Sequence, residues 1–198
     1  SIVAAVGEWI QNRSTAVTTH GNISTWDVSR VTSMNGLFVC KQFDFAERGN
    51  CNAESKGACE ATETVDGVCG WNPLFSGDCG KYSAQCTERV DEGGYVSLFN
   101  DDIGCWDTSR VTDMGGMFYK AVAFNQDLSC WDTSKVSIMT RLDGSETAGM
   151  FEDAKVFNHS IGCWDTSKVE SLTSTFDSAT AFNGDVHGWD TANVTRMD

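Results

Sequence analysis

The stretch Trp106-Asp-Thr-Ser-Arg-Val-Thr-Asp-Met-Gly-Gly-Met-Phe118 contains the unit from which most of this chain is built. Its tryptophan and aspartate recur together at five places, Trp26-Asp27, Trp106-Asp107, Trp131-Asp132, Trp164-Asp165 and Trp189-Asp190. Successive tryptophans are 80, 25, 33 and 25 residues apart. A fixed period in the twenties is the sequence signature of a repeat protein. We number the repeats one to five by these tryptophans.

Apolar residues recur at fixed distances from each tryptophan. Five residues after it stand Val31, Val111, Val136, Val169 and Val194, and eight after it Met34, Met114, Met139, Leu172 and Met197. The apolar spacing that begins at Val111 is helical, and Thr108 or Ser109 stands where a helix N-cap is expected. The short segment before each tryptophan, such as residues 127–131, suits a strand. The pattern therefore predicts an α/β solenoid, in which stacked strand–short-helix repeats share a parallel sheet.

Three segments depart from this regular pattern. Residues 1–22 are predicted to form an N-terminal helical cap, because Ile2, Val6, Trp9 and Ile10 have amphipathic spacing. The solenoid is assigned to residues 23–38 and 96–198, and a cysteine-rich insertion to residues 39–95. A smaller insertion of eight residues near 143–150 accounts for the tryptophan spacing of 33.

Stacking would place equivalent polar residues in rows along the solenoid. Asn100, Asn125, Asn158 and Asn183 are expected to hydrogen bond from one repeat to the next. The aspartates that follow the tryptophans would repel one another unless something compensates. Helix amides and a basic row, Arg30, Arg110, Lys135 and Lys168, are two remedies that the sequence offers. A row of calcium ions is the alternative, but no calcium-loop motif supports it, so no cofactor is predicted.

Six of the nine cysteines lie in or beside the insertion: Cys40, Cys51, Cys59, Cys69, Cys79 and Cys86. The sequence around them has few apolar residues and needs covalent links to fold. Their spacing does not match the close pairs of a zinc site, so three disulfides are predicted, with the pairing left open.

The other three cysteines, Cys105, Cys130 and Cys163, directly precede a tryptophan. Parallel rungs bring equivalent Cα atoms within disulfide reach, so one adjacent pair is a disulfide candidate. The alternative is a row of small buried residues, since a free cysteine packs as a hydrophobe. The odd total leaves at least one cysteine free or bonded to another chain.

Four sequons, at Asn12, Asn22, Asn158 and Asn193, agree with the cysteines in predicting a secreted or cell-surface glycoprotein. Asn12 and Asn193 rank first as glycosylation candidates, Asn22 next and Asn158 last. No apolar run is long enough to span a bilayer, so direct membrane insertion is not expected.

The composition excludes several functions. The formal net charge of −14 argues against nucleic acid and anionic lipid as partners. No P-loop, nucleophile-elbow or zinc-protease motif is present, and the three histidines do not share a register position, so neither an enzyme nor a metal site is predicted.

The phrases Trp106-Asp-Thr-Ser-Arg-Val-Thr-Asp-Met and Ala123-Phe-Asn-Gln-Asp-Leu-Ser-Cys-Trp-Asp-Thr-Ser resemble the BspA-like, Mycoplasma-type surface-protein repeat, which is grouped with leucine-rich repeats. The resemblance covers about residues 1–38 and 96–198. It implies a secreted or cell-surface protein with structural or adhesive duties and no common active site.

The sequence stops nine residues after Trp189, before the phenylalanine that the other repeats carry. An open end predicts a longer repeat chain or self-association, and head-to-tail contacts would build a filament. The alternative is an extracellular binding module that recognises carbohydrate or a surface receptor through the insertion, with a protein or glycan as its ligand.

Overall fold

The structure is a computed structural model, and it describes residues 1–40, 86–89, 94–143 and 146–197. Two helices open the chain, α1 (Ile2–Gln11) and α2 (Arg13–His20), and a 3-10 turn follows at Ile23–Thr25. The strands are β1 (Cys86–Arg89), β2 (Gly94–Ser97), β3 (Thr140–Asp143) and β4 (Glu146–Gly149). β1 pairs with β2 and β3 with β4, each as an antiparallel hairpin.

The two helices start at side chains that accept hydrogen bonds from free backbone N–H groups. The Ser1 hydroxyl accepts from the Ala4 N–H at 3.4 Å, and the Asn12 side chain accepts from the Thr15 N–H at 3.1 Å. α1 buries Val6, Trp9 and Ile10, which confirms the predicted amphipathic helix. That this segment acts as a cap over residues 1–22 stays a prediction.

The part of each repeat after the tryptophan is a chain of turns. The helix predicted there is absent from the described residues of all five repeats, which is a correction to the expected strand–helix unit. In the second repeat, i to i−3 bonds run from Met117 to Met114 and from Ala121 to Phe118. Gly116 has φ +60°, so the backbone turns left-handed where a helix would continue.

The predicted strand before each tryptophan is also missing from the described residues. Parallel bridges occur instead seven residues after the tryptophan, where Ser33 pairs with Asp113, Asp113 with Ile138, and Ser171 with Arg196. The sheet-like contact between repeats therefore lies on the other side of the tryptophan from the one expected.

Aromatic side chains form two continuous rows through the core. One row joins Phe38, Phe118, Phe151 and Phe176, with ring centroids 5.5, 5.4 and 5.6 Å apart. The other joins Phe99, Phe124, Phe157 and Phe182, with centroids 5.9, 6.0 and 5.8 Å apart. Nearly parallel rings at this spacing mean that each repeat lies directly on its neighbour.

The tryptophans tie each repeat to the one before it through the indole N–H. Each donates to the carbonyl of the residue that stands three positions before the preceding tryptophan. These bonds are Trp106 to Ile23 (2.8 Å), Trp131 to Ile103 (3.1 Å), Trp164 to Leu128 (3.0 Å) and Trp189 to Ile161 (2.9 Å). All four repeat junctions therefore carry the same buried or partly buried bond.

Buried threonines make a second set of bonds in the opposite direction. The hydroxyls of Thr108, Thr133 and Thr166 donate to the carbonyls of Asp132, Asp165 and Asp190 at 3.0, 3.1 and 2.9 Å. Each threonine is 1% exposed, so the bond satisfies a hydroxyl that would otherwise be buried without a partner.

The larger insertion leaves the core contact on its two sides unchanged. The rings of Phe38 and Phe99, which flank it in sequence, are stacked at 3.9 Å, and the uninterrupted pair Phe118–Phe124 is stacked at 4.0 Å. The segment between them therefore leaves and re-enters the repeat at neighbouring points. Most of the predicted insertion, residues 39–95, lies outside the described residues.

Candidate functional site

The row of parallel bridges forms one face of the repeats, and a groove lies on this face. The groove has a volume of about 420 Å³ and takes residues from all five repeats. Its lining is Asn35, Asp113, Ser137, Ile138, Met139, Thr140, Glu170, Ser171, Thr195 and Arg196. Nearly all of these are polar, and they lie six to nine residues after a tryptophan, where the bridges hold the backbone.

Backbone bonds between neighbouring repeats form the floor of the groove. The N–H of Thr112 donates to the carbonyl of Thr32 at 2.8 Å, and Ser137 donates to Thr112 at 3.0 Å. Beyond Ser137, the corresponding bond from Glu170 to Ser137 is 3.4 Å long. The floor is therefore loosest between the third and fourth repeats.

The third and fourth repeats also lack the bond that completes a parallel bridge. Met34, Met114 and Leu172 each donate a backbone bond of 2.8 Å to the next repeat. The equivalent residue of the third repeat is Met139, and within the described residues no backbone acceptor faces its N–H. Hairpin β3–β4 starts at the next residue and turns the chain away from the bridge. Met139 is 0% exposed, so this N–H is buried and not offered to a ligand in the groove.

Asp113 is held firmly at one end of the groove. The amide of Asn35 donates to its two carboxylate oxygens at 3.3 and 3.2 Å, and the Gly115 N–H donates at 2.9 Å. The hydroxyl of Ser33 adds a weak bond at 3.4 Å. Since these partners already occupy it, Asp113 shapes the groove more than it offers a free charge.

Three exposed side chains give the groove its chemistry. Ile138 is 44% exposed at the centre, where the bridge to the fourth repeat is missing. Glu170 and Arg196 are exposed on the next two repeats, and no ion pair within the described residues joins them. The groove therefore combines an apolar contact, one acidic group, one basic group and several hydroxyls.

The aspartates that follow the tryptophans are exposed and hold turns. Asp27, Asp107, Asp132 and Asp165 accept the backbone N–H of the serine two residues on at 3.0, 3.1, 2.9 and 3.0 Å. The side chain and then the backbone of that serine hold the pKa of each aspartate below its ordinary value.

These turn bonds do most to stabilise the charged form of the aspartates against their mutual repulsion. The basic row contributes less, since Arg30 and Lys168 rank last among the causes that lower the pKa of Asp27 and Asp165. In the described residues, no group of three or more histidine, cysteine, aspartate or glutamate side chains lies close enough to hold a metal ion.

The asparagine row bonds along the repeats as predicted. The side chains of Asn100, Asn125 and Asn158 accept from the backbone N–H of Asn125, Asn158 and Asn183 at 2.8, 3.0 and 2.6 Å. The row is exposed rather than buried, so burial does not close the sequon at Asn158.

The other three sequon asparagines are also exposed. Asn12 and Asn22 cap helical segments with their side-chain oxygens, and the Asn193 amide nitrogen donates to the Ser167 carbonyl at 2.6 Å. A glycan at Asn193 would be carried by the nitrogen that donates this bond, and that nitrogen would keep one hydrogen for it.

The two cysteine sets have different surroundings. Cys40 is buried and disulfide-bonded, and the side chains of the other five predicted members of its set lie outside the described residues. Cys105, Cys130 and Cys163 are free and exposed. The alternative that these three form a buried row is wrong, because the tryptophan that follows each of them takes the interior position.

Recurring turns, rows and junction bonds define a repeat protein. A family model described as "Mycoplasma protein of unknown function, DUF285" matches residues 9–50, 94–145 and 144–198. Since the three matches cover most of the chain, the protein belongs to this family. No curated protein and no solved structure matches the chain. In the described part of the chain, no helix is long and apolar enough to cross a membrane.

Proposed function

We propose that this protein is a secreted or cell-surface repeat protein with a structural or adhesive role, and that its repeats form a solenoid. One observation carries the proposal: the same indole–carbonyl bond crosses all four repeat junctions, at 2.8 to 3.1 Å. Neighbours held by identical buried contacts form a stiff stack rather than a set of jointed units. A stiff stack suits a support or a display surface, and nothing in it requires catalysis.

The outer surface of the stack supports an extracellular setting. The net charge of −14 keeps such a surface solvated. The buried, disulfide-bonded Cys40 and the exposed sequon at Asn12 suit an oxidising, glycosylating compartment. The finer resemblance to the BspA-like repeat stays part of this proposal.

Antibody labelling of source cells tests the location. We expect intact cells or their medium to carry the protein, and labelling that appears only after permeabilisation would sink the proposal. Small-angle scattering tests the shape. A stack of five repeats about 5.5 Å apart gives a compact particle with a narrow distribution of distances, whereas a jointed chain gives a broad one.

The groove favours a second function, binding of a protein or glycan. Its exposed Ile138 and its charged, exposed Glu170 and Arg196 are three contacts of different kinds within one groove. Specific sites combine apolar contact with a few placed polar groups in this way. The predicted recognition through the insertion concerns residues whose structure is not described.

Binding to intact cells tests this second function with a matched pair of variants. Ile138→Ser lies in the groove, and Val156→Ser removes a side chain that is 43% exposed elsewhere on the surface. We expect the first variant alone to weaken binding about tenfold. Equal loss in both variants, or loss in neither, places the contact outside the groove.

Head-to-tail assembly into a filament meets an obstacle at the first repeat. Trp9 packs edge-on against Trp26 with centroids 5.6 Å apart, and its indole N–H donates to Asp101 at 2.8 Å. α1 therefore occupies the face on which a preceding repeat would stack. We propose that any self-association uses another surface, and sedimentation at increasing concentration tests it.

A further inference from the structure

Three free cysteines form an exposed row on the side of the repeats. Cys105, Cys130 and Cys163 each stand directly before a tryptophan, in the second, third and fourth repeats. The first and fifth repeats have Thr25 and Gly188 at this position. The thiols therefore lie in three consecutive repeats, and the repeats before and after them have no cysteine at this position.

Stacked aromatic rings hold the third and fourth repeats, which carry Cys130 and Cys163, in register. Trp131 and Trp164 stack with centroids 6.3 Å apart and an interplanar angle of 5°, so their backbones are in register. On the same repeats, Phe124 and Phe157 are 6.0 Å apart. Cα atoms joined by a disulfide lie about 4.4–6.8 Å apart, so we expect cysteines of neighbouring repeats to be within reach of each other and cysteines two repeats apart to be out of reach.

Acidic rows lie on both sides of the thiols. Asp102 and Asp127 stand four residues before Trp106 and Trp131, where the fourth repeat has Ser160, and Asp107, Asp132 and Asp165 stand one residue after the three tryptophans. Hydrogen bonds from turn residues hold the pKa of Asp127 and Asp132 below the ordinary value, so these groups are charged at neutral pH. Negative charge on both sides repels anionic reagents and a second acidic copy of the chain, and it attracts cations.

We propose that this row is a site of thiol–disulfide exchange with cationic low-molecular-weight disulfides, in which Cys130 bonds to one neighbour and the third cysteine stays reduced. One thiolate attacks the disulfide R–S–S–R, which releases one R–S⁻ and leaves a mixed disulfide. The adjacent thiolate then attacks the protein sulfur and releases the second R–S⁻. The protein loses two thiol protons and two electrons, and the reagent gains both as two R–SH.

Cys130 is the only member of the row with a neighbour on each side. It can therefore bond to Cys105 or to Cys163, whereas Cys105 and Cys163 are two rungs apart and cannot reach each other. A bond on either side joins two repeats that the tryptophan and threonine bonds already hold, so it strengthens a junction without a new packing arrangement.

Tryptic mapping of the full chain after exposure to cystamine, a cationic disulfide, tests the proposal. Residues 90–110, 121–135 and 156–168 are separate tryptic peptides, and each contains a single cysteine. We expect a cross-link between the 121–135 peptide and one of the other two, with one thiol left for alkylation. Mixed disulfides on all three cysteines and no cross-link would overturn the proposal.

Serine variants supply the matched controls. Cys130→Ser should lose the cross-link completely, while Cys105→Ser and Cys163→Ser should each keep it. A Cys105–Cys163 cross-link in the Cys130→Ser variant would show that the rungs are not rigid and would refute the assignment.

The acidic flanks are tested by reaction rates. At low salt we expect cystamine to react at least about tenfold faster than anionic glutathione disulfide, and the difference should shrink as salt screens the aspartates. The same two rates, measured on the chain unfolded in urea, give the intrinsic ratio of reaction rates for the two reagents. A folded ratio equal to the unfolded one would contradict the electrostatic part of the proposal.

Discussion

Two repeat junctions carry the same bonds near the tryptophan but differ at the bridge positions, seven residues after it. The junction between the second and third repeats and the junction between the third and fourth carry the same bonds near the tryptophan. Trp131 donates to Ile103 at 3.1 Å, and Trp164 donates to Leu128 at 3.0 Å. The threonine bonds are equally matched, at 3.0 and 3.1 Å.

The two junctions differ at the bridge positions, seven residues after the tryptophan. Asp113 pairs with Ile138 between the second and third repeats, whereas in the described residues no bridge joins Ile138 to Ser171 between the third and fourth, where hairpin β3–β4 begins. The bonds near the tryptophan therefore set the register of the stack. The bridge side tolerates insertions, and it is where a binding site has room to form.

The largest effect is expected where the hairpin meets the fourth repeat. A Cβ at Gly149 would lie 1.9 Å from the backbone oxygen of Ser174, a distance that backbone movement alone can relieve. We expect Gly149→Ala to destabilise the protein by more than about 3 kcal/mol, measured by urea unfolding.

The same substitution at two other glycines gives stability changes with which that of Gly149→Ala can be compared. A Cβ at Gly115, in the uninterrupted junction, would lie 2.8 Å from the backbone nitrogen of Arg141, so Gly115→Ala should cost less than Gly149→Ala. Gly7 in α1 has nothing within 4 Å, and Gly7→Ala should stabilise by about 0.5–1 kcal/mol. The reverse order for Gly115 and Gly149 would mean that the interrupted junction is the softer one.

The second prediction concerns the side that the two junctions share. Trp131→Phe and Trp164→Phe each remove a buried indole N–H bond, and the accepting carbonyl of Ile103 or Leu128 keeps only the bond from a backbone N–H. We expect each variant to lose about 2 kcal/mol in urea unfolding, with the two losses alike. A difference between them well above the error of measurement would contradict the idea that the tryptophan side is insensitive to the hairpin.

The rows along the repeats were predictable because they depend on register alone. Once Trp106, Trp131 and Trp164 align, the residues at equal distances from them must align too. The asparagine row was found in this way, and bonds such as that from the Asn125 N–H to Asn100 at 2.8 Å confirm it. The helix α1 was found from the period of its buried residues.

The local backbone was not predictable from the same pattern. Val111, Met114, Met117 and Phe118 are all buried, and a chain of i to i−3 turns buries them as well as a helix would. The contrary sign was the pair Gly115–Gly116, which weakens a helix. Exposure of Cys130 was likewise undetermined, since a small residue beside Trp131 fits either side of the chain.

A third prediction tests one threonine bond in the interrupted junction. Thr133→Val keeps the shape of the side chain but leaves the carbonyl of Asp165 without its donor. We expect a loss of about 1 kcal/mol in urea unfolding. The first repeat has Val28, 1% exposed, at the same position, so the core accepts the valine methyl groups.

Thr191→Val is the control for that variant. Thr191 stands at the same position of the fifth repeat and is exposed, with no hydroxyl bond to another repeat in the described part of the chain. Its substitution should leave stability unchanged. A similar loss in both variants would mean that valine itself, and not the missing bond, causes the effect.

The smallest expected effect depends on pH and again lies beside the hairpin. Burial raises the pKa of Glu152, although the Gly149 N–H donates to its carboxylate at 3.0 Å and opposes the shift. A carboxyl whose folded pKa is raised penalises folding above that pKa, and the penalty disappears as the pH falls through it. We therefore expect Glu152→Gln to raise Tm at pH 7 by about 1 °C, and to bring no gain below the ordinary glutamate pKa of 4.5.

Glu170→Gln removes the same charge from an exposed position, so it separates this local effect from relief of the overall negative charge. Equal gains in both variants at pH 7 would assign the effect to net charge, whereas a gain confined to Glu152→Gln would assign it to the partly buried position of Glu152, whose equivalent in the fourth repeat, Asp177, is exposed.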